Sequence, residues 1–175
     1  MRKLKVTELN RISVEEFKEA KKLPLVVVLD NVRSVYNVGS VFRTCDAFRI
    51  ESIYLCGISA QPPQVELHKT ALGAEFTVDW KYFKDTKDDI NNLHEQGYIV
   101  YSVEQAEGST MLQDLQLDKS KKYAIVMGHE VKGVQQEVVD MSDGCIEIPQ
   151  YGTKHSLNVS VTTGIVIWDL FNKLR

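Results

Sequence analysis

Pro24-Leu-Val-Val-Val-Leu-Asp30-Asn-Val-Arg-Ser-Val-Tyr-Asn37-Val-Gly-Ser-Val-Phe-Arg43 is the stretch on which the fold turns. Its first part, Leu25 to Leu29, is an unbroken run of β-branched and aliphatic side chains, the mark of a strand covered on both faces. Its second part changes period. Asn37 is placed to cap a helix whose apolar positions are Val38, Val41, Phe42, Cys45 and Phe48, spaced as one helical face requires.

Working outward, the alternation continues. Ser13-Val-Glu-Glu16 has the form of a capping box and opens a short helix that ends before Pro24. Strands are expected at Ile53–Cys56, Phe76–Val78, Tyr98–Val103, Tyr123–Met127 and Cys145–Ile148. Helices are expected at Pro62–Ala71, Asp85–Gln96 (stopped by Gly97), Gln135 to about Met141, and about Leu157 to Leu174. Strands alternating with helices indicate one α/β domain with a mostly parallel sheet of about six strands. Residues 1–22 form a basic N-terminal extension before a domain spanning 23–175.

Composition narrows the class. The 175 residues carry 21 Lys+Arg and 24 Asp+Glu, a formal net charge of −3, and 43% are hydrophobic. No stretch of 18 uncharged apolar residues exists, so no membrane span is read, and MRKLKVTELNR has no apolar core of the kind a signal peptide needs. Cys45, Cys56 and Cys145 are odd in number and share no CxxC spacing, which fits buried thiols in a reducing cytoplasm. His129-Glu130 begins like HExxH, but Gly133 stands where the second ligand belongs, so no metal is expected. His155-Ser156 lacks a GxSxG elbow, which sets hydrolase chemistry aside. A mildly acidic total argues against holding nucleic acid by bulk charge. The total hides a split: residues 1–22 have seven bases and four acids, a net +3, and the remainder has 14 bases and 20 acids, a net −6.

In a parallel sheet, ligands bind beyond the carboxyl ends of the strands. Four segments sit there. In Asn37-Val-Gly39-Ser40-Val-Phe-Arg43, small residues, a helix N-terminus and a forked cation suit a phosphate, or form a cap beside a solvated arginine. Tyr101-Ser102-Val103-Glu104 is a strand end and by itself says little. Gly128-His-Glu130-Val-Lys-Gly133 is a tight βα turn that does not meet GxGxxG. Ile148-Pro-Gln150-Tyr-Gly-Thr-Lys-His-Ser156-Leu157-Asn158 leads into the last helix, with Ser156 as a possible N-cap and Asn158 as a polar amide in need of a partner.

Taken together, Asn37–Arg43, Ile125–Gly133 and Ile148–Ser160 resemble, in order, the three motifs of the SPOUT superfamily of RNA methyltransferases, in its SpoU/TrmH branch. The resemblance covers roughly residues 24–170. It implies a C-terminal deep trefoil knot, contrary to ordinary chain-path rules, and a homodimer with sites near its interface. It also implies S-adenosylmethionine bound by the loops Ser102–Glu104, Gly128–Gly133 and Ile148–Leu157, with Ser102, Val103, Gly128, Ile148, Gln150 and Leu157 as contacts and S-adenosylhomocysteine as product. The implied reaction is methyl transfer to a ribose 2′-hydroxyl of tRNA or rRNA, with Arg43, Asn37, Glu130, Ser156 and Asn158 as the catalytic set.

The family's assignment of its arginine as general base is physically awkward, because a guanidinium keeps its proton. Arg43 is better placed to hold a phosphate or the developing alkoxide, with Glu130 and Asn37 orienting it. The motif's usual Ile-Pro-Met is Ile148-Pro149-Gln150 here, which alters a contact to donor or RNA. RNA contacts are expected from Arg2, Lys3, Lys5, Arg11, Arg33 and Arg43, and a short basic extension in place of a separate RNA-binding domain favours tRNA. Two other readings stand beside the enzyme: a non-catalytic knot-fold RNA-binding or assembly protein, and a small-molecule methyltransferase.

Overall fold

In the computed structural model, which describes residues 1–175, the apolar run becomes strand β1 (Leu23–Asp30) and the amphipathic stretch becomes helix α2 (Val35–Ala47). Before them lies α1 (Val14–Glu19), capped as expected: Glu16 N–H donates to Ser13 Oγ at 3.1 Å and Ser13 N–H to Glu16 Oε2 at 2.7 Å. The cap of α2 differs from expectation. Ser34 is its N-cap and accepts from Asn37 N–H, so Asn37 lies inside the first turn with its amide free to reach outward. Both residue types cap well, and sequence spacing alone does not choose between them.

The chain continues through β2 (Ile50–Cys56), α3 (Val65–Ala71), α4 (Ala74–Thr77), β3 (Asp79–Phe83), α5 (Thr86–Glu95), β4 (Tyr98–Val103), β5 (Thr110–Met111), β6 (Lys122–Met127), α6 (Gln136–Met141), β7 (Gly144–Glu147) and α7 (Val159–Leu174). The sheet has seven strands, not about six, in the order β3-β2-β1-β6-β4-β7-β5, and every pairing is parallel. The expected strand at Phe76–Val78 is instead the end of α4 and its cap, and β3 follows it, tied by Ser52 Oγ donating to Asp79 O at 2.9 Å. Its half-exposed sequence, Asp-Trp-Lys-Tyr-Phe, carries no apolar run to announce an edge strand. The two-residue β5 is too short to leave any period.

Strand β1 is buried on both faces, with alternate residues entering different cores. Leu25, Val27 and Leu29 join α2, α3 and α7 in the larger core, while Val26 and Val28 face Ile90, Leu93 and Val138 of α5 and α6. Phe17 of α1 is 4% exposed and belongs to the larger core, so the basic extension is anchored through its own helix, and residues 1–12, all exposed, precede that helix.

Asp89 of α5 is fully buried. Cys56 Sγ donates to its Oδ2 at 3.5 Å and its Oδ1 has no partner. Burial pushes this carboxyl up to about 7, against smaller opposing effects of Cys56 and Lys81. With the folded value raised, stability is complete where both states are protonated and is lost as pH rises through about 7. Replacing it, Asp89→Asn, removes this dependence. Thermal unfolding of both proteins from pH 4 to 8 should show the variant gaining on the native chain as pH rises; a constant gap would contradict the assignment.

Candidate active site

Because all strands run the same way, the segments after β1, β4, β6 and β7 emerge at one edge of the sheet. They are held together there by one carboxylate. Glu130, in the turn after β6, accepts from Arg33 N–H at 2.8 Å, Ser34 N–H at 2.8 Å and Asn37 Nδ2 at 3.0 Å. Ser34 is the N-cap of α2 and Arg33 precedes it, so the carboxylate sits at the start of that helix, where the helix dipole also favours a negative charge. Burial alone would raise the Glu130 carboxyl, but the hydrogen bonds outweigh it and hold the group below its ordinary range. Asn37 passes the connection on, its Oδ1 accepting from Asn158 Nδ2 at 3.2 Å. Asn158, expected in the first turn of α7, is its N-cap and accepts from Ser160 N–H and Val161 N–H. The amide that needed a partner therefore has one at each end.

Alongside this chain lies a cleft of about 1030 Å³, bordered by Val103, Gly128, Glu130, Ile148, Gln150, Ser156, Leu157 and Asn158 among the expected residues. Its size is at the upper end of roughly 300–1,000 Å³ for small-molecule sites. Gly128 is required: a Cβ there would collide with the backbone of Gly133 and Val134. The turn is closed by paired bonds between His129 and Gly133, and His129 Nδ1 accepts from Val131 N–H and Lys132 N–H. That imidazole is therefore committed to the turn.

Glu104, the last residue of the expected Ser102–Glu104 donor loop but not among its named contacts, and Gln105, not expected at all, complete the cleft. Glu104 accepts from Gln105 N–H at 2.9 Å and Val134 N–H at 3.1 Å, and fills the space that a side chain on Gly133 would need. Gln105 Nε2 donates to the His155 carbonyl at 2.6 Å and so ties the loop after β7 to the loop after β4. Only their place at a strand end pointed to them.

Some expected residues lie elsewhere. Ser102 is fully buried, its hydroxyl bonded to Ser142 Oγ at 2.8 Å; the alternation of a strand turns it away from the cleft that its neighbour Val103 borders. Arg43 does not border the cleft and is not oriented by Glu130 or Asn37, whose bonds go to each other and to the backbone and Asn158. It lines a separate hollow with Ser40, Thr44, Phe48 and Lys69. In the N-terminal segment Arg2 is paired with Glu8 at 2.8 Å, whereas Lys3, Lys5 and Arg11 are exposed. Arg33 is exposed at the α2 start.

Residues 24–168 match the family described as the SpoU rRNA Methylase family. The chain is 29% identical over 163 residues to a tRNA (guanosine(18)-2′-O)-methyltransferase of Thermus thermophilus, covering 93% of this chain and 82% of that one. It is 28% identical over 159 residues to the enzyme of the same name from Aquifex aeolicus, covering 89% and 72%. Among solved structures, the A. aeolicus TrmH/SpoU tRNA modifying enzyme is similar with a TM-score of 0.80 at 26% identity, over 91% of this chain and 80% of that one. The AdoMet-bound rRNA methyltransferase from Sinorhizobium meliloti is similar with a TM-score of 0.80 at 27% identity, over 91% and 60%.

The Glu130 clamp makes a direct prediction. In Glu130→Gln an amide NH₂ replaces one acceptor and must face an N–H donor, which costs roughly 1–3 kcal/mol. Because the folded carboxyl sits below its ordinary range, the clamp's contribution is present above the unfolded value and is lost as pH falls through the folded one. Denaturant titrations at pH 7 should show the variant weaker than the native chain, with the gap narrowing toward pH 3. Equal stability at pH 7 would remove the clamp from the account.

Proposed function

The chain belongs to the SpoU rRNA methylase family, and on that premise we propose that it is an S-adenosylmethionine-dependent methyltransferase acting on a ribose 2′-hydroxyl of RNA, with tRNA the favoured class. The observation that carries the reading is the Glu130–Asn37–Asn158 chain, which joins the three motif segments at the rim of one cleft. The relatives named as tRNA 2′-O-methyltransferases support the choice of acceptor.

The cleft fits the donor. Val103, Ile148, Leu157 and Val134 offer apolar walls for an adenine ring, and Gly128 leaves the backbone open beside them. Glu104, Glu107, Asp140 and Glu147 outnumber Lys132 around the rim, which suits a ligand bearing a sulfonium and an ammonium. When bound, S-adenosylmethionine supplies an activated methyl group with a good leaving group, so placing the acceptor in line is the main task left to the protein. Ser156 and Asn158, at the rim, position the nucleotide. Glu130 and Asn37 act as positioning residues that fix the start of α2. Arg43 meets the RNA from outside the donor site and steadies a phosphate or the developing alkoxide, while the proton passes to a phosphate oxygen or water.

The working form is read as a homodimer. Helix α7 exposes Val161, Ile165 and Trp168 at helical spacing, with Tyr36 of α2 and Leu157 also exposed, and a second copy of the same surface buries them. The inserted position of β7 between β4 and β5, which follow one another in sequence, supports the reading of a trefoil knot. Free cysteines fit the cytoplasm as the compartment.

Incubation with labelled S-adenosylmethionine and total RNA from cells lacking the gene, followed by nucleoside mapping, tests the proposal. A 2′-O-methylated nucleoside in tRNA is expected. Donor binding without transfer to any RNA would favour a non-catalytic RNA-binding protein, and transfer to a small molecule alone would overturn the acceptor class. In the same assay Arg43→Ala should lower turnover by about 10²–10³ with donor affinity unchanged; normal turnover would remove Arg43 from catalysis.

Removing residues 1–12, which leaves Phe17 and α1 in place, should weaken RNA binding several-fold and leave calorimetric donor binding intact. Equal losses of both would refute an RNA-facing role for Lys3, Lys5 and Arg11.

A further inference from the structure

We propose that Lys69 joins Arg43 in a phosphodiester-binding site between α2 and α3, which grips the RNA backbone beside the nucleotide being modified; the inference rests on the function proposed above. Gly39 sets the geometry of the two helices. A side chain at this buried position would strike the Leu67 carbonyl and the Thr70 hydroxyl, so α3 approaches α2 more closely than any other residue would allow. Thr70 Oγ1 fastens the contact by donating to the Tyr36 carbonyl at 2.9 Å. One turn beyond Gly39 on α2 stands Arg43, and one residue before Thr70 on α3 stands Lys69. The helix contact therefore brings both cations to the wall of a single hollow of about 430 Å³.

Both side chains are exposed, and neither makes an ion pair or hydrogen bond within the chain, although Arg2, Lys18, Lys87 and Lys173 all find carboxylates. No Asp or Glu lines the hollow. Two like charges sharing a space with no counter-charge repel, and an anion between them adds an attraction to each that outweighs the repulsion. Ser40, whose hydroxyl makes no bond within the chain, adds a neutral donor at the same wall.

The shape selects the kind of anion. The hollow is open to solvent and lies outside the donor cleft, so it suits a charge on a strand draped over the surface better than an enclosed free nucleotide. A guanidinium forks onto two phosphate oxygens, and an ammonium adds a point charge to the same group. In a chain of net charge −3 this local pair supplies the attraction that bulk charge does not.

The test is filter binding of bulk tRNA to the full-length protein across a salt series, with S-adenosylhomocysteine present, for the native chain, Lys69→Gln, Lys69→Arg and Lys84→Gln. Lys84 is exposed and remote in sequence from the hollow, and its loss changes the net charge equally. Lys69→Gln should weaken binding about three- to tenfold and reduce the slope of log affinity against log salt by about one. Lys69→Arg should restore most of both, and Lys84→Gln should leave the slope unchanged. Steady-state methylation should show Lys69→Gln raising the KM for tRNA, with kcat and donor affinity near native. An unchanged slope in Lys69→Gln, or an equal change in Lys84→Gln, overturns the site. If the native chain transfers no methyl group to RNA, the functional reading fails instead, and that result is seen without any variant.

Discussion

A single carboxylate reaching from the turn after β6 to the start of α2 is the contact on which the site depends. Glu130 and the backbone N–H groups it binds are almost a hundred residues apart in sequence, and without it Arg33 and the N-cap Ser34 would lose their acceptor at the entrance to α2. Because Asn37 shares the same carboxylate and then receives Asn158, the loops after three strands are fixed relative to one another by groups that are all polar and all satisfied. Such a network specifies one arrangement, since a shift of any member leaves a donor without its acceptor.

Beneath it the sheet supplies rigidity. Every strand is parallel, the central ones are covered on both faces, and the loops that carry chemistry are confined to one edge. Asp30, at the end of β1, strengthens the join: it is fully buried and accepts from Thr86 Oγ1 at 2.6 Å, Gln135 N–H at 2.8 Å and Gln135 Nε2 at 2.7 Å. It thereby ties the far end of the Gly128–Gly133 turn to the sheet. A cleft bordered by Gly128 keeps its shape because both ends of that turn are anchored, one through Glu130 and the other through Asp30.

Much of this was legible in the sequence, for reasons that differ by residue. Leu25–Leu29 and the α2 stripe announced themselves because burial imposes a period, and the Ser13–Glu16 box because it is local chemistry. Strand β3 and the two-residue β5 escaped because edge strands need no apolar run. Ser102 and Val103 were both expected at the donor, but neighbours in a strand point to opposite faces, and only Val103 borders the cleft. Asn37, Gly128, Glu130 and Asn158 all stood out in the sequence, but not which of them bond to one another, since a hydrogen bond from Asn158 to Asn37 spans 121 residues and leaves no local pattern. Lys69 was invisible for the same reason: a lysine on a short helix is ordinary until the helix is seen pressed against Gly39. The acidic total says little about any one face, because it averages over a surface on which Arg43 and Lys69 share a hollow with no carboxylate.

The order of strands has a consequence for how the chain is made. Strand β4 pairs only with β6 and β7, and β5 only with β7, so neither has a neighbour while the first 121 residues leave the ribosome. Strands β1, β2 and β3 associate early, but the other edge of β1 stays bare until Lys122–Met127 emerges and enters between β1 and β4. Until then the nascent chain carries an open, strongly apolar strand edge, the feature most prone to pair with another molecule. Synthesis must therefore pass Met127 before β1 gains its second neighbour, and Glu147 before the sheet is complete, so a pause upstream of β6 holds the protein in its most vulnerable form.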